Sequence, residues 1–121
     1  MTDYPLITLR AVLGPGTMLG AGKAELLEGI AETGSIAAAG RRMGMSYKRA
    51  WYLIDTLNRY FHAPLVTSTK GGRGGGGATL TETGGRVLEL YRRVQGNAEA
   101  AVVAELKELA ALAAREPPPA A

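Results

Sequence analysis

The chain has 121 residues, with 14 Lys and Arg against 11 Asp and Glu, one histidine and no cysteine, for a net charge of +3 at neutral pH. That length suits one domain around one modest core. The absence of cysteine excludes disulfides and thiolate metal sites, and a lone histidine argues against a histidine-built metal centre.

No stretch approaches the roughly 20 apolar residues of a membrane span. Asp3 and Pro5 sit where a signal peptide would carry its basic and apolar regions, so a cytoplasmic protein without a membrane partner is expected.

Residues 6–13 (LITLRAVL) alternate Ile7, Leu9, Ala11 and Leu13 with Thr8, Arg10 and Val12. A period of two predicts a strand with one buried face, broken by Gly14-Pro15-Gly16. Over 23–33, Leu26, Leu27 and Ile30 form an apolar stripe with Glu25, Glu28 and Glu32 outside it. This is a first helix with a solvated acidic face and Gly34 just past its end.

The stretch 35–57 (SIAAAGRRMGMSYKRAWYLIDTL) reads as two helices joined by a tight turn. Ser35 and Ser46 are placed to cap them, and Gly44 supplies a turn residue tolerant of positive φ. Ala37, Ala38, Ala39 and Gly40 keep the first helix slim enough for the second to cross closely. A supporting helix, a turn and a second helix offered to the major groove make a helix-turn-helix. In the second helix, over 47–61, Ala50, Ile54, Leu57 and Phe61 make the core face, flanked by Leu53 and Tyr60. Tyr47, Lys48, Trp51, Tyr52 and Asp55 lie mostly off that stripe, and Arg49 lies toward its edge.

Two β-like runs, 65–69 and 78–81, surround the glycine-rich basic tip from Lys70 to Gly77, which marks a hairpin placed as a wing. Thr81 caps a last helix, 82–114, of about 50 Å at 1.5 Å per residue. Val87, Tyr91, Val94, Ala98, Ala101, Val102, Leu106, Leu109 and Leu112 keep a near-heptad stripe along it. A small head cannot cover a stripe that long, so a second copy is expected to do so. The alternative is a helix that folds back on its own domain or breaks near Gly96-Asn97. The organisation expected is a DNA-binding domain over 1–81, a long dimerisation helix over 82–114 and a disordered tail over 115–121.

Charge is unevenly spread. Between residues 35 and 80 stand Arg41, Arg42, Lys48, Arg49, Arg59, Lys70 and Arg73 against the single acid Asp55, a net +6, while the remainder carries −3. A local positive field on an otherwise acidic chain is the footprint of phosphate contact. Tyr47, Lys48 and Tyr52 are assigned to base edges, and Arg41, Arg42 and Arg49 to phosphates. Lys70 and Arg73 carry charge at the wing tip, and Ser35 and Ser46 at the helix starts complete the DNA-facing set. Trp51 stays open between core support and DNA contact.

Catalysis is not expected. GGRGGGG lacks the lysine-serine/threonine ending of a nucleotide phosphate loop and does not lead directly into a helix. His62 has no nucleophile or carboxylate partner set and reads as a helix-end residue. No cofactor or metal is expected.

Three motifs together carry a resemblance: Gly34 to Ala39 (GSIAAA), Met45 to Trp51 (MSYKRAW) and Lys70 to Thr81 (KGGRGGGGATLT). Over residues 19–93 the chain resembles the N-terminal DNA-binding domain of ModE-type molybdate-responsive transcriptional regulators, a winged helix related to the LysR-type regulators. The resemblance implies a mainly α fold with a small β component, a winged helix-turn-helix with a long C-terminal dimerisation helix. It further implies a homodimer joined through the first strand and the long helix, and a palindromic operator in double-stranded DNA, often at molybdate transport genes. The run starting Ser46-Tyr47-Lys48 maps to the recognition helix, and Lys70 to Gly77 to the wing. Full-length members carry β-barrel modules that bind molybdate, and no strand-rich segment remains here for one. Sensing of molybdate would then need a separate effector-sensing protein or another oxyanion site, at a helix N-terminus or the dimer seam. A rival reading from another class is a protein-interaction adaptor that uses the winged helix without sequence-specific DNA binding.

Overall fold

The computed structural model describes residues 4–69 and 77–113. The chain folds as β1 (Arg10–Gly14), β2 (Thr17–Gly20), α1 (Ala21–Thr33), α2 (Ile36–Arg42), α3 (Tyr47–Tyr60), β3 (Val66–Thr69), β4 (Gly77–Leu80), α4 (Glu82–Ala101) and α5 (Val103–Leu112). It is mainly helical with a small β component, as expected; the described residues form two antiparallel sheets, β1–β2 and β3–β4.

The N-terminal strand is shorter than the alternation predicts, and it has a partner that the reading of a break at Gly14-Pro15-Gly16 missed. Arg10 faces Gly20, Ala11 faces Leu19 and Val12 faces Met18, with an irregularity before Gly14 faces Thr17. Pro15-Gly16 therefore turns the chain rather than ending the sheet. Proline presets the first central position of such a turn, and Gly16 has a φ of 73° at the second. Ile7, Leu9 and Ala11 are half-buried as the alternation requires, but Leu13 is exposed.

The core gathers where α1, α2 and α3 cross. Leu26, Leu27, Ile30, Ile54, Leu57 and Leu65 are its largest fully buried side chains, each contributing about 1.5–3 kcal/mol by leaving water. Small residues set the crossings. A Cβ on Gly29 would stand 2.9 Å from that of Ala39, and one on Gly40 would stand 3.0 Å from that of Ala50. Slim helices thus bring α2 close to both neighbours, as read for 37–40. Both predicted caps form: Ser35 Oγ accepts from the Ala38 N–H and Ser46 Oγ from the Arg49 N–H, each at 3.0 Å. Gly44 turns the chain between them at φ 70°.

The second hairpin is clamped at its base. Asn58 Oδ1 accepts from the N–H groups of Leu65 at 2.8 Å and Val66 at 3.1 Å, while Nδ2 donates to the Val66 carbonyl at 3.1 Å. On the other strand the Ala78 N–H donates to the Gly34 carbonyl at 2.9 Å. Thr81 accepts from the Gly84 N–H at 3.0 Å, as a cap should, and its hydroxyl also donates to the Pro64 carbonyl at 2.6 Å. α4 starts so close to residue 65 that a Cβ on Gly84 would collide with the Leu65 carbonyl.

α4 packs along α1 through Arg92 and Glu28, 2.8 Å apart, and holds the N-terminal segment through the Tyr91 hydroxyl, which donates to the Leu9 carbonyl at 2.7 Å. The single helix expected over 82–114 is two helices. The interruption falls at Val102 (φ −119°, ψ 19°), not near Gly96-Asn97. Val102 and Val103 are adjacent β-branched residues, which lose side-chain freedom against the preceding turn. No residue of α5 is buried, so packing does not override that preference. Residue 114 and the tail over 115–121 lie outside the described residues, as do Lys70, Arg73 and the other wing-tip residues of 70–76.

Candidate nucleic-acid interface

The exposed face of α3 follows from its buried one. Ala50, Ile54 and Leu57 point into the core, so a 3.6-residue period turns Lys48, Tyr52, Asp55 and Arg59 outward along one line. The capped start of α3 presents Tyr47 at 58% and Tyr52 at 60% exposure. The Arg49 guanidinium lies over the Tyr52 ring at 5.5 Å, an arrangement that holds both side chains at the surface.

Trp51 stands outside the buried core, 37% exposed, with its ring edge-on to that of Tyr47 at 6.3 Å. It lines a cleft of about 260 Å³ with Tyr47 and Ser35 on one side and Ser68, Thr69, Gly77 and Ala78 of the hairpin on the other. The tight seat of β4 on the α1–α2 turn sets this cleft, because a Cβ on Gly77 would stand 2.8 Å from the Gly34 carbonyl. The helix and the second hairpin therefore present one continuous surface.

The other sequence-assigned residues divide. Ser35 and Ser46 each spend their hydroxyl oxygen on a helix N-terminus. Arg42 is bound to Glu32 at 2.8 Å across α2 and α1, both ends exposed. Arg41 and Lys48 are exposed and make no ion pair among the described residues. Arg49 also lines a larger groove of about 690 Å³ with Arg10 and Lys23, on the flank of α3 away from the hairpin. Lys23 is held there by the Met18 carbonyl and the Tyr60 hydroxyl, both at 3.2 Å. Sequence reasoning passed over Asn58, whose side chain joins α3 to the hairpin. Its signal was an amide near a helix end, just before a proline and a β-like run, where backbone groups go unpaired.

A capped recognition-type helix, a close-packed supporting helix and an antiparallel hairpin beside them define a winged helix-turn-helix. The family comparison agrees: the model of the bacterial regulatory helix-turn-helix protein, lysR family, matches residues 22–85, and the chain belongs to that family. It is similar to the molybdenum-pterin-binding protein MopA of Rhodobacter capsulatus, with 40% identity over 97 residues, 79% of this chain and 37% of MopA. It is also similar to the DNA-binding transcriptional dual regulator ModE of Escherichia coli, with 46% identity over 66 residues, 54% of this chain and 25% of ModE. Among solved structures it resembles the CbnR DBD–DNA complex, at 25% identity and a TM-score of 0.54, covering 75% of this chain and 95% of that one. The chain thus spans well under half the length of these curated relatives.

Proposed function

We propose that the chain is a sequence-specific DNA-binding transcriptional regulator that engages double-stranded DNA as a homodimer. α3 enters the major groove with Tyr47, Lys48, Trp51 and Tyr52 toward the bases, and the second hairpin lies along the adjacent backbone or groove. Arg41, Arg42 and Arg49 meet phosphates, joined by Lys70 and Arg73 from the wing tip and by the α2 and α3 starts at Ser35 and Ser46. The observation that carries this reading is the continuous α3–hairpin surface, with three exposed aromatics and the exposed cations Lys48 and Arg49 at a capped helix start. Likeness to a DNA-bound domain and to ModE supports it.

The homodimer rests on uncovered apolar surface. Leu13, Leu19, Phe61, Val87, Leu90 and Val94 line an almost purely apolar groove between the first hairpin and α4. Leu109 and Leu112 on α5 are largely exposed. A second copy seated on this groove would bury it, and a two-fold contact would set the spacing of two half-sites. Control of molybdenum-related genes is supported by the likeness to the molybdenum-pterin-binding protein MopA and to the transcriptional regulator ModE.

Selection of bound sequences from random duplex DNA, followed by titration across salt, tests the proposal. The expected result is a palindromic site with affinity that falls steeply as salt rises. A folded protein that binds no duplex at low salt would refute it and leave the protein-interaction adaptor. Sedimentation at the same concentrations tests the homodimer.

A further inference from the structure

One acid interrupts the basic segment. Between residues 35 and 80 the only carboxylate is Asp55. It is exposed in the middle of α3, caps no helix, and has one partner among the described residues, the Arg59 guanidinium at 3.0 Å. Exposed pairs four residues apart add little to helix stability, and a carboxylate here opposes the phosphates that the surrounding charges attract. Its position is therefore informative. Asp55 follows Lys48 and Tyr52 along the outward line of α3, about 10 Å from Lys48 at 1.5 Å per residue. The Trp51–Asn58 flank faces the second hairpin, and the Arg49–Leu53 flank faces the groove under the first. Asp55 stands between them, nearer the hairpin flank, on the exposed side of α3 that a groove occupied by this helix would meet.

We infer that Asp55 is a specificity-determining residue that accepts a hydrogen bond from the exocyclic amino group of a cytosine. An ionised carboxylate only accepts. In the major groove guanine presents two acceptors and thymine an acceptor and a methyl, whereas cytosine presents its N4 amino donor. Adenine sets an N7 acceptor beside its amino donor and suits a carboxylate less well. The negative charge that weakens binding to any backbone is offset only where that donor is present.

The inference rests on the DNA-binding reading, and the test separates the two. Sequences bound from random duplex DNA are selected with the full chain, with Asp55→Asn and with Arg59→Gln at one salt concentration. The unsubstituted chain should enrich cytosine at one position of each half-site. Asp55→Asn should move that position toward adenine, whose N6 and N7 edge an amide meets as donor and acceptor, and leave the other positions unchanged. It should also lower discrimination at that position by about fivefold or more. Arg59→Gln should keep the cytosine. An unaltered profile in Asp55→Asn overturns the inference while the regulator reading stands. So does an Arg59→Gln profile matching that of Asp55→Asn, because the carboxylate then acts only through its ion pair. An unsubstituted chain that selects no sequence overturns both.

Discussion

Asn58 is the residue through which the wing is held at its angle to α3, and its removal gives a graded test. Asn58→Ala deletes three hydrogen bonds, to the Leu65 N–H, the Val66 N–H and the Val66 carbonyl. Each contributes about 0.5–1.5 kcal/mol net, so a loss of about 2–3 kcal/mol is expected. For a domain of this size that corresponds to a fall in melting temperature of about 8–20 °C. Asn58→Asp separates the terms: its carboxylate can still accept from both N–H groups but cannot donate to the Val66 carbonyl, so it should fall between wild type and Asn58→Ala. Thermal and urea unfolding followed by circular dichroism, at one fixed protein concentration so that association does not shift the midpoint, measures both variants. Amide exchange over β3 and β4 should quicken more than exchange over α1. A loss below about 0.5 kcal/mol in Asn58→Ala would show that the hairpin is held by its packing alone.

Three further outcomes are expected. Gly84→Ala places a methyl against the Leu65 carbonyl, where backbone must move; overpacking of this kind costs about 1–3 kcal/mol, and a urea midpoint equal to wild type would contradict the close approach. Tyr91→Phe removes only the bond to the Leu9 carbonyl and should cost about 1 kcal/mol, with faster proteolysis at the N-terminal segment; equal cleavage rates would mean that this segment is held elsewhere. Arg41→Ala should lower the salt slope of operator binding by about 0.9, as loss of one phosphate contact does. A preserved slope would remove Arg41 from the phosphate contacts.

Much of the helix-turn-helix was legible in the sequence because its signals are local. Serine caps, a turn glycine and a 3.6-residue apolar period act within one or two turns of chain, and Ser35, Ser46, Gly44 and the Ala50–Ile54–Leu57 stripe occupy the places they predict. Two elements were misread for equally local reasons. Pro15-Gly16 both breaks and reverses a strand, and only the partner at 17–20 shows which. The stripe along 82–114 continues through Val102 in sequence, whereas two adjacent β-branched residues, neither of them buried, interrupt the helix there.

By itself the amino-acid sequence determined the run of three helices and a hairpin, the caps and turn of the helix-turn-helix, and the concentration of positive charge between residues 35 and 80. Those properties depend on neighbours a few residues apart and on composition. Tertiary structure alone decided that Trp51 lines the cleft beside the wing rather than the core, that Asn58 ties α3 to β3, and that Arg42 is bound to Glu32. Each of these depends on a side chain meeting a group brought near by a crossing of helices or a returning strand. The spacing of residues along the chain carries no distance across such a crossing, so these partners appear only once the domain has closed.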